Sequence, residues 1–519
     1  MKSLGNAEGN ERPAVVLGID LGTSGVRVVA FSETLQPLAE AGLPCSIQLV
    51  AGGGVEQNVL EVADAVEHCL AAVIAELGQS HRVLALVLCG TASSLCSFQR
   101  EDGTPRGSAW LWSDSRAHAQ ADELKQRYGN ALYERTGCPM HSSYWSAKLL
   151  WYHHQRGPSD LNKHASHQEI FAGIKDFIVY RLTGVWVTDV PTATATGLYD
   201  TKNDCWDNEL LDELHIAASM LPAVSLPTAQ LSLRDEVASR LGLPVTSAVV
   251  IGSFDGILAH LGLGCVEPLS ASCMVATSSA VRLSVAERTL DPQARTWCYP
   301  TGEGTWVIGG ATNNGGNALT WFKDVLEDRQ PGESEEGAGY ELVNSALQAE
   351  TIAGEELVFL PYLYGERSPL WRDDLRGALI GLSPLHGQRD IVRAILEGVG
   401  LQLSDLLHIL SEQVGAQPVE IRGSGRFTGS PDWAQLQADI FGVPIFVGEQ
   451  KQVSARGAAI IGWRSLTGDS LQKFTQNIQR DSLYEPRTSE HTRHVARFER
   501  FTTYRSSIFP SLRTKGASD

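Results

Sequence analysis

At 519 residues the chain exceeds the roughly 250–300 residues that one hydrophobic core supports, so at least two domains are expected. Its 43% hydrophobic and 20% charged content is that of an ordinary globular protein, and a net charge of −18 argues against non-specific binding to nucleic acid or to an anionic membrane. The nine cysteines lack C-x-x-C spacing and read as core thiols, residues 1–12 lack the apolar centre of a signal peptide, and no apolar run approaches a membrane span, so a cytoplasmic enzyme is the expectation.

In residues 14–31 an apolar β-branched run ends at Asp20, the turn Gly22-Thr23-Ser24-Gly25 follows, and alternation resumes at Val26, Val28 and Ala30. The pattern is strand, turn, strand, without a Walker loop or a dinucleotide fingerprint. A carboxylate at a strand end beside exposed N–H and hydroxyl groups suits a phosphate, although on spacing alone an ordinary Gly-rich hairpin is the better reading. A third strand is expected over 41–49, a helix over 59–77 and a buried strand over 82–89. Thr91 to Ser94 lies at that strand's end, and Trp110 to Arg116 follows a turn at Asp102-Gly103. Ligands of open α/β sheets gather at the carboxyl ends of strands, which makes Thr91, Ser93, Trp112, Asp114 and Arg116 candidate pocket residues. A surface turn with an Asp-Arg pair explains the W-x-D-x-R spacing equally well.

Residues 117–182 read as mostly helical, broken at Thr136-Gly137-Cys138-Pro139-Met140-His141, with one helix over 146–151 and another that carries Lys175-Asp176 and ends near Gly184. Taken singly, Lys175 and His141 read as solvated side chains. A strand over 248–251 stops at Gly252-Ser253-Phe254-Asp255-Gly256 and a helix starts at Ile257, so Asp255 is either open to a substrate or a helix N-cap. Residues 274–282 repeat the opening pattern, which suggests two related halves facing each other across a cleft. Residues 306–310 read as a strand, and Gly310 to Gly316 leads into a helix carrying Trp321. Residues 391–407 form an amphipathic helix, 421–425 a strand and turn, and Ser430-Pro431-Asp432-Trp433 opens another helix. The small residues of 454–462 predict a closely packed helix, and beyond Gly468 the chain is expected to be polar and irregular with a mobile tail.

Asp20-Leu21-Gly22-Thr23-Ser24 resembles the first phosphate motif of the sugar kinase, actin and Hsp70 superfamily. Later stretches resemble its FGGY carbohydrate kinase branch from about residue 15 to 463, most closely Phe359-Leu360-Pro361-Tyr362-Leu363-Tyr364-Gly365-Glu366-Arg367-Ser368-Pro369. The resemblance implies an α/β fold of two actin-like (ribonuclease H-like) domains with an interdomain cleft. Residues 1–265 would carry the sugar site and catalytic base, and residues 266–519 the nucleotide site. It implies transfer of the ATP γ-phosphate to a sugar hydroxyl, with ATP and Mg²⁺ as cofactors, Asp255 as catalytic base and Asp20 as the metal residue. Thr91, Ser93, Trp112, Asp114, Arg116, Lys175 and Asp255 would meet the substrate. Gly22, Thr23, Ser24, Thr277, Ser278, Gly310, Asn313, Gly425 and Arg426 would meet the nucleotide. The implied partners are a small sugar or sugar acid and ATP, without nucleic acid or membrane, and a homodimer stays open.

Three stretches depart from that pattern. Ala92-Ser93 stands where many members have Met-His, Ala276-Thr277-Ser278-Ser279 where the second phosphate turn is usually G-T-S-G, and Gly425-Arg426 where glycines are usually paired. They leave open a kinase-like protein that binds a sugar or nucleotide without phosphoryl transfer. Residues 136–141, 148–151, 297–299 and 306–316 resemble the gluconate kinases, with a D-xylulose or D-ribulose kinase as the alternative. A six-carbon acid needs a cation at its carboxylate, and Arg116, Lys148 and Lys175 are the candidates.

Overall fold

In the computed structural model residues 12–156, 168–328, 340–348, 356–448, 452–476, 478 and 481–510 are described; residues 1–11 and the tail beyond 510 lie outside them. Apolar alternation builds a first sheet from β1 (Ala14–Gly22), β2 (Gly25–Phe31), β3 (Pro37–Pro44), β4 (Arg82–Gly90), β5 (Gln230–Ser232) and β6 (Ala248–Phe254), in the order β5-β6-β4-β1-β2-β3. The first three strands form an antiparallel meander, and β4 and β6 run parallel to β1. The strand expected over 41–49 ends early, at Pro44. Gln48–Val50 instead joins a small separate sheet with Gly54–Gln57 and Ala109–Trp110. One face of the main sheet is covered by α1 (Val59–Leu77), which Asn58 caps by accepting from the N–H groups of Leu60 and Glu61, and by α3 (Ile174–Thr183), which follows α2 (Trp145–Arg156) in the chain.

After α4 (Asp255–Gly262) the second half repeats the design. Its strands are β7 (Ala271–Val275), β8 (Ser279–Val285), β9 (Trp297–Pro300), β10 (Trp306–Thr312), β11 (Ile421–Gly425), β12 (Ile445–Val447) and β13 (Ser482–Tyr484), in the order β9-β10-β8-β7-β11-β12-β13. Again a three-strand antiparallel meander, β10-β8-β7, is followed by two parallel strands, β11 and β12. Its helices are α5 (Gly316–Leu326), α6 (Gln388–Val414), α7 (Pro431–Phe441), α8 (Val453–Thr467) and α9 (Thr488–Ile508). The helix α6 is long and apolar enough in composition to cross a membrane, but its most apolar window is 89% buried in the second core, where it packs with α7.

The two halves interlock through α8. Although late in the chain, it packs on β1 and β4 and against α4 of the first half, forming a third core with Val16, Val87 and Leu258. Glycine permits the approach: a Cβ on Gly457 would lie 1.9 Å from the Leu258 carbonyl oxygen. This is the close packing that the small residues of 454–462 predict. The irregular stretch expected after Gly468 is instead largely ordered, with α9 running over 21 residues. Its polar composition hides a buried stripe, because Phe501 sits in the second core while Arg497 pairs with Glu397 and Arg505 with Asp405 of α6.

Candidate active site

Three neighbouring strands bring two carboxylates together. Asp20 lies on β1 across from Arg27 and beside Cys89 of β4, whose thiol hydrogen-bonds its carboxylate. Asp255 opens α4 directly after β6, which runs on the other side of β4. A bulge at Gly252 aims it. There φ is +65°, and a Cβ would stand 1.7 Å from the Leu88 carbonyl oxygen, so only glycine lets the end of β6 turn against β4. Burial, and then repulsion from Asp255, raises the Asp20 carboxyl to about 6 against the pull of Cys89 and Arg27. Burial raises Asp255 as well, held back by Arg282, the Gly256 N–H, Arg367 and the Ala92 N–H.

Each half also contributes a small polar turn. In the first turn Thr23 accepts from Trp112 Nε1 at 3.4 Å through its hydroxyl, and its carbonyl accepts from Gln57 at 3.0 Å. Gly22 is half-buried and Ser24 exposed. In the second, Ala276 O accepts from Gly316 N at 2.7 Å and Thr277 O from Asn317 N at 3.2 Å, which fastens the turn carrying Thr277 and Ser278 to the start of α5. Gly425, at φ +90°, brings Arg426 over the same helix end, with its Nη1 3.2 Å from Thr320 Oγ1. Thr277, Ser278, Gly425 and Arg426 therefore share one place.

Gly310 does not share it. It is buried within β10, where a Cβ would meet Leu406 and Ser368 at 2.7 and 2.8 Å, so its missing side chain serves helix packing. Asn313 is bound internally. Its amide nitrogen donates to Tyr364 O at 3.0 Å, and its oxygen accepts from Arg367 Nε at 2.8 Å. Arg367 also donates to Thr312 O at 2.8 Å and lies 4.3 Å over the Trp112 ring, spanning the cleft from the second half to the first. Glu366 beside it is fully buried and raised to about 8 by burial, against hydrogen bonds from Asn313, Asn314 and Gln402 and the charge of Arg367.

Thr91 and Ser93 lie buried at the end of β4. Ser93 adopts φ +60°, uncommon for a residue with a side chain, donates to Ala195 O at 2.9 Å and accepts from Lys148 Nζ at 2.8 Å. Lys148 also donates to Leu111 O at 2.7 Å, and burial lowers it to about 7. Of W-x-D-x-R, Trp112 faces the cleft, while Asp114 and Arg116 form a buried pair behind it. Arg116 reaches Glu56 at 2.8 Å and packs against Trp110 and Trp151. Lys175 is buried 2.9 Å from Asp189 and 3.3 Å from Asp176. The three cations expected at a substrate carboxylate are thus all engaged inside the protein, and that expectation is corrected. Nor are Lys175 and His141 solvated: His141 is buried with Nε2 3.0 Å from Asp373 Oδ1, and Ser142 donates to Oδ2 of the same aspartate at 2.8 Å.

Of the facing wall the sequence singled out residues 297–299 but not Tyr144, Phe254 or Trp371. Tyr144 and Tyr299 meet hydroxyl to hydroxyl at 3.1 Å, Trp297 stacks on Tyr299 at 4.5 Å, and Phe254, Ile257, Ala92 and Trp371 extend the apolar surface. Arg282 on β8 stands beside this wall, facing the first turn of α4. The one signal for it was a charge set among Ala280, Val281 and Leu283 in a strand with no other charged residue. Two buried carboxylates with raised proton affinity, a small polar turn from each half and two guanidiniums form a site suited to moving a phosphoryl group onto an alcohol.

Comparison with known proteins agrees. Residues 15–262 match the N-terminal domain of the FGGY family of carbohydrate kinases, and residues 271–466 match the C-terminal domain. A gluconokinase of Bacillus subtilis (strain 168) is 30% identical over 453 residues, 86% of each chain. The crystal structure of gluconate kinase from Lactobacillus acidophilus superposes with a TM-score of 0.86 at 27% identity, covering 96% of this chain and 98% of that one. The ligand-bound xylulose kinase of the same organism gives 0.87 at 28% identity, covering 95% and 98%.

Proposed function

Because the chain belongs to the FGGY family of carbohydrate kinases, phosphotransferases acting on a sugar hydroxyl, we propose that its acceptor is gluconate and that Asp255 is the catalytic base. What favours a gluconate kinase is the meeting of two stretches that resemble that group. Residues 136–141 and 297–299 lie side by side on the pocket wall, where Gly137 O accepts from Cys298 N at 2.9 Å and the Cys138 thiol from the first stretch approaches the Tyr299 hydroxyl from the second. The likeness to the Bacillus subtilis gluconokinase supports the same choice.

In this reading Asp255 takes the proton of the attacking hydroxyl. Its raised affinity for that proton makes it a better base than an exposed aspartate, and a loose phosphoryl-transfer transition state asks for little deprotonation early on. Thr23 and Thr277 offer hydroxyls to the phosphates from opposite sides. The family implies ATP as donor, and we propose Mg²⁺ as its metal, with Asp20 as the residue that holds it and Asp255 close by. A carboxylate whose proton affinity is raised by burial and by a second carboxylate suits a hard cation, whose chemistry there would be to neutralise phosphate charge. The His141–Asp373 contact and the stacking of Arg367 on Trp112 hold the halves together over the pocket, which excludes water from the transfer.

A coupled assay of ADP release with gluconate, D-ribulose, D-xylulose, L-ribulose and glycerol tests the reading. Gluconate is expected to give the highest kcat/KM. Background activity with gluconate while a ketopentose turns over would replace the substrate and keep the family.

A further inference from the structure

The cleft holds a guanidinium whose donors no residue fully takes up, although the charge of Asp255 acts on it. Arg282 is 7% exposed, its Nε is buried without a hydrogen-bond partner, and among the described residues it forms no salt bridge. Its Nη2 would stand 3.4 Å from a Cβ on Gly256, which places it against the first turn of α4, next to Asp255. A guanidinium does not lose its proton inside a protein, so the charge stays; Asp255 offsets part of it, and a buried N–H donor left unpaired is unfavourable. The other cations around the pocket are engaged: Arg116 by Asp114 and Glu56, Lys148 by two carbonyls, Lys175 by two aspartates, and Arg367 by Asn313, Thr312 and the Trp112 ring.

Resting on the reading that the acceptor is a sugar acid, we propose that Arg282 is the specificity residue that binds the substrate's carboxylate as a two-pronged ion pair. Position separates this role from that of a phosphate ligand. Arg282 lies three residues into β8 from the second phosphate turn, about 10 Å of strand, and on the face that carries Ala280 and Ser284 toward the first half. The substrate then has a polar contact from each half, the hydroxyl at Asp255 and the carboxylate at Arg282. The aromatic wall of Tyr144, Phe254 and Tyr299 packs the carbon chain between them.

The test uses the full-length enzyme with Arg282→Gln and Arg282→Lys. Arg282→Gln is expected to raise the gluconate KM about 10²-fold and to weaken calorimetric gluconate binding without ATP by the same factor, as loss of a two-pronged charged contact does. The advantage of gluconate over D-glucitol, its uncharged counterpart, as a competing ligand falls in parallel, while the KM for ATP moves far less. Arg282→Lys keeps the charge without the fork and recovers part of the binding; if the glutamine variant does not fold, this split between KM and kcat is read from the lysine variant alone. A fall in kcat with gluconate affinity retained would assign the guanidinium to the transferred phosphoryl group and overturn the proposal. Absence of gluconate turnover in the unaltered enzyme overturns the substrate reading itself, and it is seen before any variant is made.

Discussion

The two halves share one strand plan and place their charges on it differently. On the β1–β2 face turned toward the second half, Asp20 pairs across to Arg27 and Gly18 to Val29. On the matching face of β7–β8, Met274 pairs with Ala280 and Ser272 with Arg282. Where the first half shows an acid the second shows methionine, and where the second shows a guanidinium the first shows valine. Asp255 strengthens the acidic side and Arg367 the basic one. The repeated fold supplies two equivalent platforms, and single substitutions at equivalent places divide the chemistry between them.

The comparison breaks most directly at its acidic pole. Asp255→Asn keeps the shape and removes the base, so turnover with the true acceptor is expected to fall about 10²- to 10⁴-fold while the thermal unfolding midpoint holds or rises. Near-normal steady-state turnover would remove Asp255 as the base and leave the first half only Asp20.

A structural difference between the halves is tested next. The second half carries α9 on its outer layer, anchored by Phe501 in the core. Phe501→Ala is expected to cost about 3–5 kcal/mol in denaturant unfolding, through lost burial and the cavity left behind. A cost below about 1 kcal/mol would make α9 an appendage.

How legible all this was depended on whether neighbours in sequence or neighbours in space decide the outcome. The opening hairpin, α1 and the β7–β8 repeat follow from local alternation, so residues 14–31, 59–77 and 274–282 announce them. The third strand slipped because Pro44 ends its pairing with β2, a local cue outweighed by the apolar residues beyond. The helix α9 was illegible because its buried stripe includes Arg497 and Arg505, whose partners Glu397 and Asp405 stand about 100 residues away. The same limit governs the site. Asp20, Trp112 and Asp255 were readable as motif positions. Whether Arg116, Lys148 or Lys175 was free, and whether Gly310 touched a ligand or a helix, is set by tertiary contacts that spacing does not encode.

Acidity sharpens the contrast further. The Asp20 carboxyl, ordinarily near 3.8, is raised to about 6, so the folded state holds its proton more tightly than the unfolded chain. The stability this contributes is fully present below pH 3.8 and is lost as pH rises through 6. Asp20→Asn removes that loss. In the free enzyme it is expected to be more stable than the native chain at pH 8, by about 1–3 kcal/mol, with the gap closing toward pH 4. Turnover falls in the same variant, since stability at this place opposes function. A variant less stable at pH 8 would show that Asp20 is held by contacts worth more than its burial costs.

The smallest expected effect concerns the basic half's nucleotide side. Arg426 stands where a glycine is usual, and in the structure its guanidinium lies along the first turn of α5, 3.4 Å from Gly316 O and 3.2 Å from Thr320 Oγ1. Those contacts make it a brace for the helix end that fastens the Thr277 turn, and stacking of its planar face on a nucleotide base is the further contact expected of it. Removing the brace loosens the turn, and removing the face loses a contact of about 0.5–1 kcal/mol. Arg426→Gly is therefore expected to raise the KM for ATP about three- to five-fold with the gluconate KM unchanged. If the ATP KM stays fixed while the unfolding midpoint drops, Arg426 braces the second half alone, and nucleotide contact passes to Gly425 and the turn of Thr277 and Ser278.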